Sequence, residues 1–189
     1  MIPASRILEN CLRRCRGLGV PITRYVLATS ISSQTTVLFE KPTASASPVC
    51  RNPGYDPVAT FRCSTSRFGI GQIEGSNCTP LGLHRVAEKI GGGWPVGTVF
   101  KSRAAIGFTW KEFPYATITN RILWLEGLEP GFNRGGHVDS YRRYIYIHGT
   151  GNETTLGRPA SCGCIHLAAD DLIPLFDKLP AGTLVWIER

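Results

Sequence analysis

Two short stretches near the C-terminus carry the side chains richest in chemistry, Tyr144-Ile-Tyr-Ile-His-Gly-Thr150 and Ser161-Cys-Gly-Cys-Ile-His-Leu167. Read as a strand, the first puts Tyr144, Tyr146 and His148 on one face and Ile145 and Ile147 on the other, which delivers an imidazole to a strand end backed by aliphatic side chains. The same period of two in the second aligns Cys162, Cys164 and His166. Gly163, between the cysteines, lets the backbone approach a neighbour or adopt a conformation closed to other residues. A free thiol is only a few per cent thiolate at neutral pH, so a cysteine nucleophile needs a partner that takes its proton. Cys164 and His148 are the candidate pair. The same residues also allow metal chemistry: Cys162, Cys164, His166 and His148 are four ligands of the kind zinc accepts. One residue between the cysteines is nevertheless tighter than the roughly two to four of structural zinc sites.

The elements that must position these residues are mostly short strands. Ile22 to Thr29, Thr35 to Phe39, Val58 to Ser64, Leu83 to Ile90, Val96 to Lys101, Ile118 to Leu125 and Thr183 to Ile187 are rich in Val, Ile, Thr and aromatics and are bounded by Gly, Pro or Ser. Lys41 to Asp56, with three prolines, reads as a loop, and Gly69 to Asn77 as a turn region. Its GIGQIEG does not fit a phosphate-binding GxGxxG. The longer connections Gly107 to Thr117 and Glu129 to Ser140 are candidate cleft walls, with Trp110, Tyr115 and His137 available to line them. Two helices are expected. One is capped by Ser5, carries Leu8, Cys11, Leu12 and Cys15 on its apolar stripe and stops at Gly17. The other is capped by Asp170, has Leu172, Leu175, Phe176 and Leu179 on one face, and tolerates Pro174 in its first turn. The pattern predicts a mainly β domain, a mixed β-sandwich or barrel-like fold with one or two short helices. Residues 1–21 would form an N-terminal helical arm and linker, and 22–189 the domain proper. His84 reads as structural, because nothing near it in sequence supplies a nucleophile.

Composition narrows the partners without choosing one. The 189 residues carry a formal charge of +7, with 42% hydrophobic and 19% charged residues, which suits one globular domain and an anionic partner. No run of Lys and Arg interleaved with aromatics suggests a nucleic-acid groove. No segment approaches the roughly 18 apolar residues of a transmembrane helix. No export signal is visible, since Arg13, Arg14 and Arg16 interrupt the N-terminal apolar stretch. The seven cysteines, at 11, 15, 50, 63, 78, 162 and 164, leave at least one thiol outside any intramolecular bridge.

His148-Gly149-Thr150, a spacer with Gly157 and Pro159, and then Ser161-x-Gly163-Cys164-Ile165 resemble the signature of the L,D-transpeptidase catalytic domain, the YkuD family, which typically reads HGT and then SHGCIR. Thr79-Pro-Leu-Gly82 with His84 is similar to the family's TPxG segment. Arg121-Ile-Leu-Trp-Leu-Glu-Gly127, Asp171 and Gly182-Thr183 stand where the family carries similar residues. The likeness runs from about residue 22 to the end. It implies a mixed β fold and a peptidoglycan transpeptidase without cofactor, acting at the cell envelope. Cys164 would attack a stem tetrapeptide, release D-alanine and pass the acyl group to an amine. His148 would serve as base, the Gly149 carbonyl as its orienting partner, and the Gly163 and Cys164 N–H groups as oxyanion donors. Ser161, Cys162, His166, Tyr146 and Thr150 are the expected substrate-binding residues, with stem peptides as partners and carbapenems as inhibitors. Two departures stand in the motif. Cys162 replaces the usual His, and His166 replaces the usual Arg, which removes a permanent charge and a planar hydrogen-bonding fork. An L,D-carboxypeptidase giving the same thioester to water, a zinc-binding module and a non-catalytic wall-binding module remain the alternatives.

Overall fold

The structure, a computed structural model, describes residues 4–42 and 54–189. Most of the expected loop from Lys41 to Asp56, and Cys50 with it, lies outside the described residues. The chain forms helix α1 (Ala4–Leu18) and then strands β1 (Tyr25–Ser30), β2 (Thr35–Glu40), β3 (Asp56–Arg62), β4 (Gly82–Ile90), β5 (Thr98–Lys101), β6 (Ala104–Phe108) and β7 (Thr119–Gly127). Strands β8 (Tyr146–Gly149) and β9 (Ile165–Leu167), helix α2 (Ala169–Lys178) and strand β10 (Leu184–Glu188) complete it. This is the mainly β domain with two helices that the sequence predicts. The described strands make one continuous mixed sheet in the order β3-β2-β1-β10-β4-β7-β5-β6, with β8 paired to β7 and β9 to β8. The pairs β1–β10 and β8–β9 are parallel, and the others are antiparallel.

Alternate residues of the central strands go to opposite cores, which is why these strands read as apolar on both faces. Leu27, Leu38, Val185 and Ile187 pack with Leu172, Leu175 and Phe176 of α2. Val26, Ala28, Val37, Phe39 and Leu184 pack with Ile7, Leu8, Cys11, Leu12 and Cys15 of α1. Helix α1 thus lies against the sheet, with its apolar stripe fully used, and each fully buried leucine contributes on the order of 2 kcal/mol. Cys11 and Cys15 are packing residues. The helix runs past Gly17 to Leu18 and stops at Gly19, whose φ of 65° only glycine adopts readily.

Two further expectations are corrected locally. Helix α2 starts one residue before Asp170, with Ala168 at the cap position and no side-chain cap of its own. The N–H of Ala169 is met instead by Glu153 Oε1 at 2.7 Å, a carboxylate from the connection before β9. Pro174 sits in the middle of the helix rather than in its first turn. The expected connection Gly107 to Thr117 begins inside a strand, Ala104–Phe108, which forms a hairpin with β5.

Candidate active site

Strands β8 and β9 run parallel in the register Ile147↔Ile165 and His148↔His166. Ile145, Ile147, Ile165 and Leu167 enter the core beneath α2. Neighbours in a parallel pair face the same way, so Tyr146, His148 and His166 share the opposite face. Cys164 joins them just before β9: its Sγ accepts from the Tyr146 N–H and donates to the Tyr144 carbonyl, both at 3.4 Å. The thiol is diagonal to His148 across the strand pair. Among the described residues, these backbone groups are its hydrogen-bond partners, and no direct thiol–imidazole bond forms. The alternation expected on either side of the strands stops early. Tyr144 has a φ of 56° and is half exposed, and Cys162 to Cys164 form a turn in which Cys162 is exposed. The extended-strand alignment of Cys162 with Cys164 does not exist.

Glycine is required at two positions. A Cβ on Gly149 would come within 2.5 Å of Asn120 Nδ2 and 2.8 Å of the Thr119 carbonyl, where β7 is bulged. Gly163 has a φ of 122°, and a Cβ there would press on the Cys78 carbonyl at 3.3 Å. The turn is closed by Ser161, which is buried: its Oγ donates to the Cys164 carbonyl at 2.6 Å and accepts from the Gly163 N–H at 3.2 Å. The Ser161 hydroxyl therefore faces into the loop it shapes. Thr150 is also buried, and its hydroxyl accepts from the Asn152 N–H at 3.2 Å.

Ser64 exchanges backbone hydrogen bonds with His166, and Thr65 O accepts from the N–H groups of Ala160 and Ser161. Gln34 fastens Thr65 from behind through both ends of its amide. Thr79 of the TPLG segment accepts from the Ser66 N–H at 2.9 Å. Arg143 then ties the neighbouring loop in place, donating to the carbonyls of Gly71, Gln72 and Cys78. His84 is buried, with its ring nitrogens against the Gly82 carbonyl and Ser140 Oγ, a structural role. The expected cleft walls differ in placement. Gly151 donates to the Ala116 carbonyl, which brings the 107–117 connection beside Thr150. Trp110, Tyr115 and His137 are exposed.

Electrostatics favour neutral groups. Burial pushes the Cys164 thiol up to about 11, against the opposing pull of the Tyr146 N–H and the Arg143 charge. Burial, and then the neighbouring His166, push His148 down to about 3, and burial holds His166 down to about 4. The His148 and His166 rings lie 4.7 Å apart, and His166 Nδ1 is buried with no hydrogen-bond partner among the described residues. His148 Nδ1 sits 2.8 Å from the Gly149 carbonyl. A carbonyl can only accept, so Nδ1 carries the proton and Nε2 keeps the lone pair. No group of three or more His, Cys, Asp or Glu among the described residues is placed to hold a metal, so the zinc alternative gains no geometric support.

A buried imidazole held in one tautomer, next to a thiol on a glycine-shaped turn, is an arrangement suited to acyl transfer. Residues 24–187 match the L,D-transpeptidase catalytic domain family, YkuD, and the chain belongs to that family. It is similar to the candidate L,D-transpeptidases YkuD and YqjB of Bacillus subtilis (strain 168), 37% identical over 62 residues and 42% over 45. Those stretches take up 30% and 24% of this chain and span only 38% and 26% of the two relatives. The fold is similar to that of an L,D-transpeptidase from Mycobacterium smegmatis (TM-score 0.50, 13% identity, 88% of this chain and 59% of that one). It also resembles L,D-transpeptidase 3 from Mycobacterium tuberculosis (0.50, 16%, 88% and 61%) and Bdellovibrio bacteriovorus Bd1075 (0.53, 14%, 88% and 48%).

Proposed function

We propose that the chain is a cysteine-dependent peptidoglycan L,D-transpeptidase acting at the cell envelope. The observation that carries this reading is the His148–Gly149 hydrogen bond, which fixes the imidazole with Nε2 as the basic atom on the face that also bears Cys164. Substrate entering the site displaces the thiol from the Tyr144 carbonyl and turns it toward Nε2; catalytic hydrogen bonds commonly tighten only in the complex. Sγ then bonds to the carbonyl carbon that precedes the terminal D-residue of a stem tetrapeptide, and its proton passes to His148 Nε2. Collapse of the tetrahedral species breaks the C–N bond, and His148 returns the proton to the departing D-alanine amine. An acceptor amine attacks the thioester, gives its proton to His148, and the thiol is regenerated. No redox step or cofactor enters the balance.

The oxyanion needs a donor. The Gly163 N–H is held by Ser161 Oγ, so the Cys164 N–H is the one assigned here; a well-placed donor of this kind supplies about 3 kcal/mol. Burial of both partners as neutral groups means that the proton moves in the reaction rather than beforehand. The test is incubation with a stem tetrapeptide and an amine acceptor. D-alanine release with a cross-linked product supports transpeptidation; release with only the tripeptide acid identifies water as the acceptor. Absence of release while the protein binds isolated sacculi would establish a wall-binding module instead.

A further inference from the structure

We propose that Arg103, with the hydroxyls of Tyr144 and Tyr146, forms a subsite for the C-terminal carboxylate of the acyl-donor peptide. The proposal rests on the transpeptidase reading for the identity of the donor. Arg103 lies in the two-residue turn of the β5–β6 hairpin, where Ser102 and Arg103 both have positive φ, 49° and 69°. Such turns favour Asn-Gly or Gly-rich pairs, so this one holds an arginine where the backbone least favours it. Its guanidinium carbon sits 4.9 Å from the centre of the Trp124 ring and 5.3 Å from that of Tyr144. The two tyrosines, Tyr146 first, hold the Arg103 pKa above its ordinary value. Trp124 is backed by Tyr141, stacked at 4.1 Å with the ring planes nearly parallel, and its indole N–H is bound to the Tyr141 carbonyl. The platform beneath the cation is therefore rigid.

The cation itself has no acidic partner: among the described residues no carboxylate pairs with Arg103, and Glu88 receives the Tyr141 hydroxyl. Arg143 presents the opposite case, with its fork used on three backbone carbonyls. A guanidinium held over aromatic rings, with tyrosine hydroxyls but no carboxylate beside it, suits capture of a carboxylate.

The location points to one carboxylate. Tyr144 and Tyr146 supply the backbone groups that hold Cys164 Sγ, and Tyr146 packs with Trp124 against Cys164. Arg103 thus packs on the ring of the tyrosine whose carbonyl receives the thiol. In a peptide, the terminal carboxylate is three bonds from the scissile carbonyl carbon, within about 4 Å. At position 166, where the family carries a permanent cation, this chain has a buried neutral imidazole.

Binding measured in the Cys164→Ala protein tests this without turnover, using calorimetry with a stem tetrapeptide and its C-terminal amide. With Arg103 present, the acid is expected to bind at least tenfold tighter than the amide. In Cys164→Ala/Arg103→Gln the two should bind within about twofold of each other, with Arg103→Lys in between. Equal binding of acid and amide to the Arg103 protein, failure of both to bind, or an acid preference that survives Arg103→Gln overturns the subsite. Acylation of Cys164 in the otherwise unaltered protein is read separately. Acylation without carboxylate preference removes only the subsite, and preference without acylation removes only the thioester reading.

Discussion

His148 donates its Nδ1–H to the carbonyl of Gly149, the next residue in the chain, across 2.8 Å. The bond needs no third side chain, because the strand end turns the carbonyl back toward the ring. It makes the imidazole a proton acceptor at Nε2 alone. His148→Ala should lower acyl transfer about a hundredfold or more, the usual range for a general base, with the circular dichroism of the fold retained. A loss below about fivefold would place the base elsewhere, with His166 next in line.

Much of this site was legible because its parts are local. Alternation in Tyr146 to Gly149 announces a strand and the side on which His148 emerges, and Gly163 announces a backbone conformation closed to other residues, although not the turn that replaces the expected extended alignment of Cys162 with Cys164. What was not legible depends on pairing between distant segments. Nothing in Cys63 to Ser66 marks it as the strip that holds the nucleophile turn, and Glu153 is not a cap for α2 in any local sense. Strand β6 has a weak β pattern, Ala-Ala-Ile-Gly-Phe, and a turn without Gly or Asn, so it gave no hairpin signal. Arg143 and Arg103 reach the site only through the tertiary fold.

Three buried histidines give the fold a pH dependence of definite sign. His84 and His166 are held down to about 4 and His148 to about 3, below the ordinary value of about 6.5 in the unfolded chain. Between these limits the unfolded state binds more protons, so stability is intact above pH 6.5 and falls as pH drops toward 4. At about pH 5.5 each histidine should cost roughly 1.4 kcal/mol. Denaturant melts at pH 7.5 and 5.5 should differ by up to about 4 kcal/mol, and His84→Asn should remove about a third of the difference. Superimposable melts would contradict the neutral, buried state of these rings.

The thiol makes a related prediction. With Cys164 raised to about 11 by burial, its alkylation by iodoacetamide, followed by peptide mapping, should keep accelerating from pH 7 to 9.5. A plateau below pH 8 would reveal a preformed thiolate–imidazolium pair.

Cys162 stands on the exposed outer part of the turn, while Cys164 is held by the backbone of Tyr144 and Tyr146. Exposure gives Cys162 access, but among the described residues it has no hydrogen-bond partner. Cys162→Ala should therefore reduce acylation much less than Cys164→Ala, and Cys162→His should keep or raise it. The rates are read by mass spectrometry under reducing conditions; a dead Cys162→Ala would exchange the roles of the two thiols.

The central claim is that Cys164 forms the acyl-enzyme. Intact-mass spectrometry after exposure to a stem tetrapeptide, and in parallel to a carbapenem, tests it most directly. The account predicts one acyl adduct per chain, mapped to Cys164, that is absent in Cys164→Ala while that variant stays folded. An adduct that persists in Cys164→Ala, or a folded unaltered protein that takes up neither acyl group, would contradict it.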